Sequence, residues 1–342
     1  MNSTVDSLET SVTEYCTAIG ADPLLVQGAG GNISWKEGDT LWIKASGAWL
    51  AEAAEKDIFV PVDLPHLRTA IGRGDFSVSP RLLDESELRP SIETLLHALM
   101  PHRVVVHLHA VEVLAYLVCD NCKAAFRTLL DPTIRWAVVN YHKPGAALAS
   151  AVSTALTHNP DTDVIFLNNH GVVIGGADIA EVTRTLGKLK KDLGSTPVSI
   201  RNTTRPVLPK ALNQGDQYIP VQDADVHQLA LNKDLFNRLD SEWALYPDHV
   251  VFLGVRAYAY KSFDDFRKES KTKSEQPELI FILGHGVFVR PTFNKAKLAQ
   301  LRCYYDVLAR QNHSSSIKAL TNEQVGELLN WDAEQYRMNL SK

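Results

Sequence analysis

The run Arg103-Val104-Val105-Val106-His107-Leu108-His109 combines two signals. Its valines read as a β-strand over 103–109. In a strand, side chains two apart point to the same face, so His107 and His109 stand side by side. Two polar residues on an exposed strand face would look the same locally. The surroundings are strongly apolar, however, and two unpaired imidazoles among apolar groups are costly. A shared metal ion satisfies both. His170, in Asn168-Asn169-His170-Gly171, closes a second β-like run at a turn that can aim it back across a sheet. Three neutral imidazoles with an open position describe a catalytic metal site rather than a closed structural one. Zinc suits such nitrogen ligands, and manganese, cobalt or iron fit the same cage.

Working outward, a helix is expected over 4–20, strands over 33–35 and 40–45, a helical turn over 49–55 and a strand over 58–62. The segment after Pro80 reads as loop. Ser91 is the candidate N-cap of a helix ending near 99, before Pro101. A helix over 110–118, a strand over 134–141, a helix over 146–157, two strands meeting at a turn within 163–176 and a helix over 179–193 follow. Residues near 195–220 are rich in Pro, Thr, Asn and Gln and read as a linker. Beyond it, a helix is expected near 224–239, strands at 249–253 and 279–283, and helices near 294–310 and 322–338. The domain reading is therefore 1–195, a linker over 196–219, and a smaller unit over 220–342. Strands and helices intermingle without regular crossovers, which favours α/β or α+β layering over an all-parallel doubly wound sheet.

The second unit echoes the first. Residues 164–172 (VIFLNNHGV) resemble 279–287 (LIFILGHGV), and 102–106 weakly resemble 248–252. The sharper reading is a degenerate duplicate that has lost the H-x-H, with Leu253 and Val255 standing where histidines would be needed.

Of the 342 residues, 45% are hydrophobic and 22% charged, with a formal net charge of −5, as in a globular chain with a full core. No basic stripe points to nucleic acid; Lys188-Leu189-Lys190-Lys191-Asp192 reads as a solvated helix face. No apolar stretch is long enough to span a membrane, and no segment reads as a secretory leader, so a cytoplasmic location is expected. Cys119-Asp120-Asn121-Cys122 is a lone C-x-x-C without the second pair that structural zinc needs; coincidence or a redox role remains.

Two more stretches carry chemistry. Glu93, in Pro90-Ser91-Ile92-Glu93, is placed for a first helical turn, where an acidic residue is favourable; it is also a candidate proton carrier beside the metal. His97 is four residues on and shares that helix face, where it could orient Glu93, extend the metal site or sit in the core. The loop Gly28-Ala29-Gly30-Gly31-Asn32 lacks the third glycine of a dinucleotide fingerprint and precedes a strand. Like Lys44-Ala45-Ser46-Gly47, it can still turn backbone N–H groups toward an anion.

In this order, Gly31-Asn32-Ile33-Ser34, Ala45-Ser46-Gly47, Pro90-Ser91-Ile92-Glu93, His107-Leu108-His109 and Asn169-His170-Gly171 resemble the class II aldolase/adducin family over about 10–195. The resemblance implies an α/β/α layered fold and a homo-oligomer. It implies zinc on His107, His109 and His170, and Glu93 as the acid/base. Gly31, Asn32, Ser46, Gly47 and Ser91 would surround the anionic end of a small carbohydrate-type substrate. The second unit is more weakly similar, through Tyr246-Pro247-Asp248-His249 and Gly284-His285-Gly286-Val287, to the segment after the aldolase domain in rhamnulose-phosphate aldolases fused to a dehydrogenase. Ile92 departs from the two serines that many sugar-phosphate members carry before the glutamate, which removes one phosphate contact and makes a carboxylated or unphosphorylated substrate more plausible. The Glu93-to-His107 spacing is shorter than in fuculose-type aldolases and nearer to the fused rhamnulose type.

The function so implied is a metal-dependent aldolase cleaving a sugar phosphate or sugar acid through an enediolate. An epimerase, dehydratase or decarboxylase would use the same site. A binding module of the adducin kind would lack catalysis, but adducin keeps the fold without the metal histidines, which are all present here. The donor to the other fragment is often a tyrosine in this family; Tyr116, Tyr141 and Tyr260 are the candidates.

Overall fold

The computed structural model describes residues 7–195, 197, 218–272, 276–311, 316–329, 332 and 336. The chain divides into two compact units, residues 1–195 with 330–341 and residues 196–329. Nearly all of the expected linker lies outside the described residues; its last residue, Ile219, already pairs in a strand with Val289.

The first unit runs α1 (Leu8–Gly20), β1 (Asn32–Glu37), β2 (Thr40–Lys44), β3 (Phe59–Asp63), α2 (Leu64–Gly72), α3 (Thr94–Leu99), β4 (Val104–Leu108), α4 (Val111–Leu117), α5 (Cys122–Leu129), β5 (Trp136–Val139), α6 (Ala146–His158), β6 (Val164–Leu167), β7 (Gly171–Gly176) and α7 (Ile179–Leu193). Its strands form one open seven-stranded sheet in the order β3-β2-β1-β4-β7-β6-β5. All neighbours are antiparallel except β5 and β6. The central strands β4, β6 and β7 are buried along their whole length, which requires cover on both faces. One face packs on α3 and α6 through Val105, Ile165 and Val173 against Leu96, Leu148 and Val152. Helices α4 and α7 cover β4 and β7 from the other side. This is the α/β layered class that the sequence implied.

Three local differences matter. Helix α2 was not expected, although Asp63 caps it by accepting the N–H of His66 at 2.9 Å and a proline stands in its first turn. Helix α5 was also missed. Helix α3 starts at Thr94, not beside Ser91; the Ser91 Oγ accepts the Glu93 N–H at 3.2 Å within the preceding turn, and Glu93 takes the N-cap position with no capping side chain.

The second unit runs β8 (Ile219–Pro220), α8 (Gln228–Leu231), α9 (Lys233–Arg238), α10 (Pro247–Leu253), β9 (Ala259–Tyr260), α11 (Phe263–Ser270), β10 (Leu279–Ile282), β11 (Gly286–Val289), α12 (Lys295–Ala309) and α13 (Asn322–Leu328). The strand expected at 249–253 is helix α10. Pro247 in its first turn and Asp248 favour a helical start, and burial against α12 overrides the β-preference of Val250 and Val251.

The second sheet, β8-β11-β10-β9, repeats the pattern β4-β7-β6-β5, including the single parallel pair at the same end. The turns match bond for bond. His170 and His285 donate to Leu167 O and Ile282 O, Asn168 and Leu283 to Val139 O and Tyr260 O, and Asn169 and Gly284 to Leu117 O and Ala230 O. Asn169 and Gly284 both have positive φ, 53° and 73°. Pro220 pairs with Phe288 as His107 pairs with Val173, so the counterparts of His107 and His109 are Pro220 and Gln222. Leu253 and Val255 are not, because α10 has no counterpart strand.

His249 lies fully buried among Trp243, Tyr246 and Tyr304. Its Nδ1 accepts the Leu245 N–H at 3.4 Å. Burial draws its pKa from 6.5 to about 3. The unfolded chain binds that proton below about pH 6.5, and the folded chain refuses it until about pH 3. The stability contribution is therefore complete above pH 6.5 and falls away toward pH 3, by up to about 1.4 kcal/mol per pH unit. Urea midpoints between pH 6.5 and 4 should fall less steeply in His249→Gln than in the wild type. Equal slopes would show that His249 does not resist protonation.

Candidate metal centre and active site

Strand β4 ends at Leu108, with β1 on one side and β7 on the other. Asn32 pairs with His107, and Leu108 with Val172. The β6–β7 turn brings His170 to the same end of the sheet. Asn169 makes that turn in the left-handed region, which asparagine tolerates better than most residues. The residue after His170 is Gly171, a glycine because nothing larger fits. A Cβ on Gly171 would lie 2.5 Å from the Leu108 carbonyl and 3.0 and 3.1 Å from ring carbons of His107 and His109.

His107, His109 and His170 each offer a ring nitrogen within 4.8 Å of the others, and all three are buried. The His107 Nδ1–H donates to the Val172 carbonyl at 3.2 Å, which leaves the Nε2 lone pair of the neutral ring toward His109 Nε2, 3.1 Å away. A proton on His109 Nε2 or a cation between the two nitrogens would satisfy that lone pair. Three imidazoles, one oriented by a backbone carbonyl, fit a divalent metal that accepts nitrogen ligands.

Glu93 approaches the same point from the turn before α3. Its Oε2 is 3.5 Å from His107 Nε2 and its Oε1 3.4 Å from His170 Nε2. Burial would raise its pKa. The charge that His107 and His170 carry when protonated, the hydrogen bond from Asn32 and the same charge on His109 outweigh this and hold it down to about 2. A bound cation would act in the same direction, so the carboxyl is ionised at neutral pH.

Asn32 sits between the motifs. Its Nδ2 donates to Glu93 Oε2 at 2.8 Å and to Ser91 Oγ at 3.3 Å, and its Oδ1 meets His97 Nε2. The side chain read from sequence as an anion contact is thus turned to Glu93. His97 is fully buried and burial draws its pKa to about 3; both its ring nitrogens face other partners, Asn32 Oδ1 and the Ser34 hydroxyl, so it stands outside the three-histidine group. Ser46 joins this region through its backbone, donating to Arg89 O at 2.8 Å beside the Ala45–Pro90 bridge. Gly31 and Gly47 both hold positive φ, 62° and 81°. The buried Lys44 donates to Ala29 O at 3.1 Å and Ala48 O at 2.6 Å, and so ties the glycine loop to the Ser46-Gly47 turn. Sequence reading noted Lys44 only as a nearby cation, and it missed Ser34, whose hydroxyl lies 2.7 Å from His97 Nδ1. Of the tyrosine candidates, Tyr116 packs on Phe126 and Tyr260 on Phe266 in the second unit.

The sequence model of the class II aldolase and adducin N-terminal domain matches residues 11–191, more than half of the chain and all of the elements that build this site. The chain belongs to the class II aldolase/adducin family. Over 174 residues it is 29% identical to the uncharacterized oxidoreductase YuxG of Bacillus subtilis (strain 168). That match covers 46% of this chain and 25% of YuxG, so the chain spans about a quarter of this relative's length. Among solved structures, the N-terminal class II aldolase domain of a conserved protein from Thermoplasma acidophilum is 26% identical at a TM-score of 0.47, covering 56% of this chain and 95% of that one. A sugar-phosphate aldolase from Thermotoga maritima is 17% identical at a TM-score of 0.43, covering 54% and 91%. Among the described residues of this family member, no helix is long and apolar enough to cross a membrane.

Proposed function

We propose that the chain is a metal-dependent carbon–carbon lyase acting on a ketose-type sugar phosphate or sugar acid. The supporting observation is a buried Glu93 carboxyl group within 3.5 Å of two nitrogens of a three-histidine cluster. His107, His109 and His170 would hold the ion, zinc being the best match to the ligand set. A divalent metal there supplies Lewis-acid stabilisation of the negative charge that develops on substrate oxygen when the bond breaks. Glu93 would remove and return the proton at the adjacent carbon. Its burial keeps water from competing for that proton. The glycine loop and the Ser46-Gly47 turn, joined by Lys44, would take the anionic end of the substrate. Ile92 offers no hydroxyl there, which supports a carboxylated substrate beside a phosphorylated one. The second unit is read as a worn copy of the half of the first unit that begins at β4, on the strength of the repeated sheet and turn bonds, with Pro220 and Gln222 in place of two ligands.

Product analysis tests this reading. The metal-loaded protein is incubated with a panel of ketose phosphates and sugar acids, and the products are resolved by mass spectrometry. Two fragments are expected. A single isomer would reassign the site to epimerisation, and no turnover on any substrate with metal bound would favour a binding module.

A further inference from the structure

Ser34, His97, Asn32 and Glu93 form one buried line of hydrogen bonds, each residue at most 6% exposed. The line exists because two periodicities meet. Asn32 and Ser34 are two apart on β1 and point to one face; Glu93 and His97 are four apart at the start of α3, with the His97 N–H on Glu93 O at 3.2 Å.

Its direction follows from chemistry. The Asn32 amide turns its NH2 to Glu93 Oε2 and Ser91 Oγ and its oxygen to His97 Nε2. That oxygen only accepts, so His97 must carry its hydrogen on Nε2. A neutral imidazole has one N–H; Nδ1 is therefore bare and takes the Ser34 hydroxyl hydrogen at 2.7 Å. Glu93 Oε2 is thereby tied, while Oε1, beside His170, accepts no hydrogen bond.

We propose that His97, as the Nε2–H tautomer, is a positioning residue that locks the Asn32 amide and leaves Glu93 Oε1 as the oxygen that carries the transferred proton. This rests on the acid/base reading of Glu93. Without the His97 donor, the amide can turn over and face the carboxylate with its oxygen, which repels it.

Two measurements on the metal-loaded full chain test the proposal. In 15N-histidine-labelled wild type, His97 Nδ1 should resonate in the unprotonated range and Nε2 in the protonated range; the reverse would overturn the relay. In kinetics, His97→Leu should lower kcat about 10–100-fold with KM and one metal equivalent kept. His97→Gln, whose amide N–H reaches toward the same oxygen, should recover most of that rate. Equal losses in both variants, or none in either, would overturn the proposal. Full activity in Glu93→Gln would instead remove the acid/base reading, and the tautomer would still decide the hydrogen-bond relay by itself.

Discussion

Glu93→Gln should keep its metal and lose about 10²–10⁴ in kcat, the usual contribution of a general acid/base. The substitution is nearly isosteric. Glutamine still accepts the Asn32 hydrogen bond at the Oε2 position, so the turn before α3 and the three histidines stay in place. What is lost is a carboxylate within 3.5 Å of two ligand nitrogens that can move a proton. Steady-state kinetics with metal analysis on the same sample check this. Wild-type turnover would remove Glu93 from the role, and loss of metal would mean that Glu93 serves chiefly as a ligand.

Gly171→Ala should damage both the metal site and the fold. The added methyl meets the Leu108 carbonyl at 2.5 Å and the His107 and His109 rings at 3.0 and 3.1 Å. The carbonyl belongs to the β4–β7 ladder and cannot retreat without opening it. Overpacking of this kind costs about 1–3 kcal/mol or more, and here the displaced atoms include two ligands. Metal affinity should fall at least about tenfold, on the scale seen when the support of a ligand is disturbed. Gly187→Ala is the control: it lies inside α7 with nothing within 4 Å of a new Cβ, and should be neutral to slightly stabilising. Calorimetry and elemental analysis read both effects. A Gly171→Ala protein with wild-type midpoint and metal content would contradict the packing described for the site.

The features legible in the sequence were those written in short periods. The alternation around His107 and His109 and the glycine-closed turn at Asn169-His170-Gly171 are local, and the structure brings the three histidines together. Helix α7 was read at its observed bounds, because Asp178 and the spacing of Val182, Leu186, Leu189 and Leu193 carry a full helical signature. Helix α10 was misread because Val250-Val251-Phe252-Leu253 has strand propensity, and only its packing on α12 decides otherwise. Helix α2 was legible, with Asp63 and Pro65 as start signals, but lay in a stretch that the sequence reading passed over. The role of Asn32 could not be read locally. Its partners Glu93 and His97 are 61 and 65 residues away, and no local pattern reports that β1 lies beside α3. The internal repeat was visible at the histidine turn, yet its first strand was placed on α10 because short apolar runs do not distinguish helix from strand.

The central claim is that His107, His109 and His170 hold one divalent metal ion. Elemental analysis of metal per chain, on the wild type and on His107→Ala prepared in parallel, tests it most directly. About one equivalent in the wild type and essentially none in the variant is the predicted result. A wild type that stays metal-free after reconstitution with zinc, manganese, cobalt or iron, or a variant that retains the full equivalent, would contradict it.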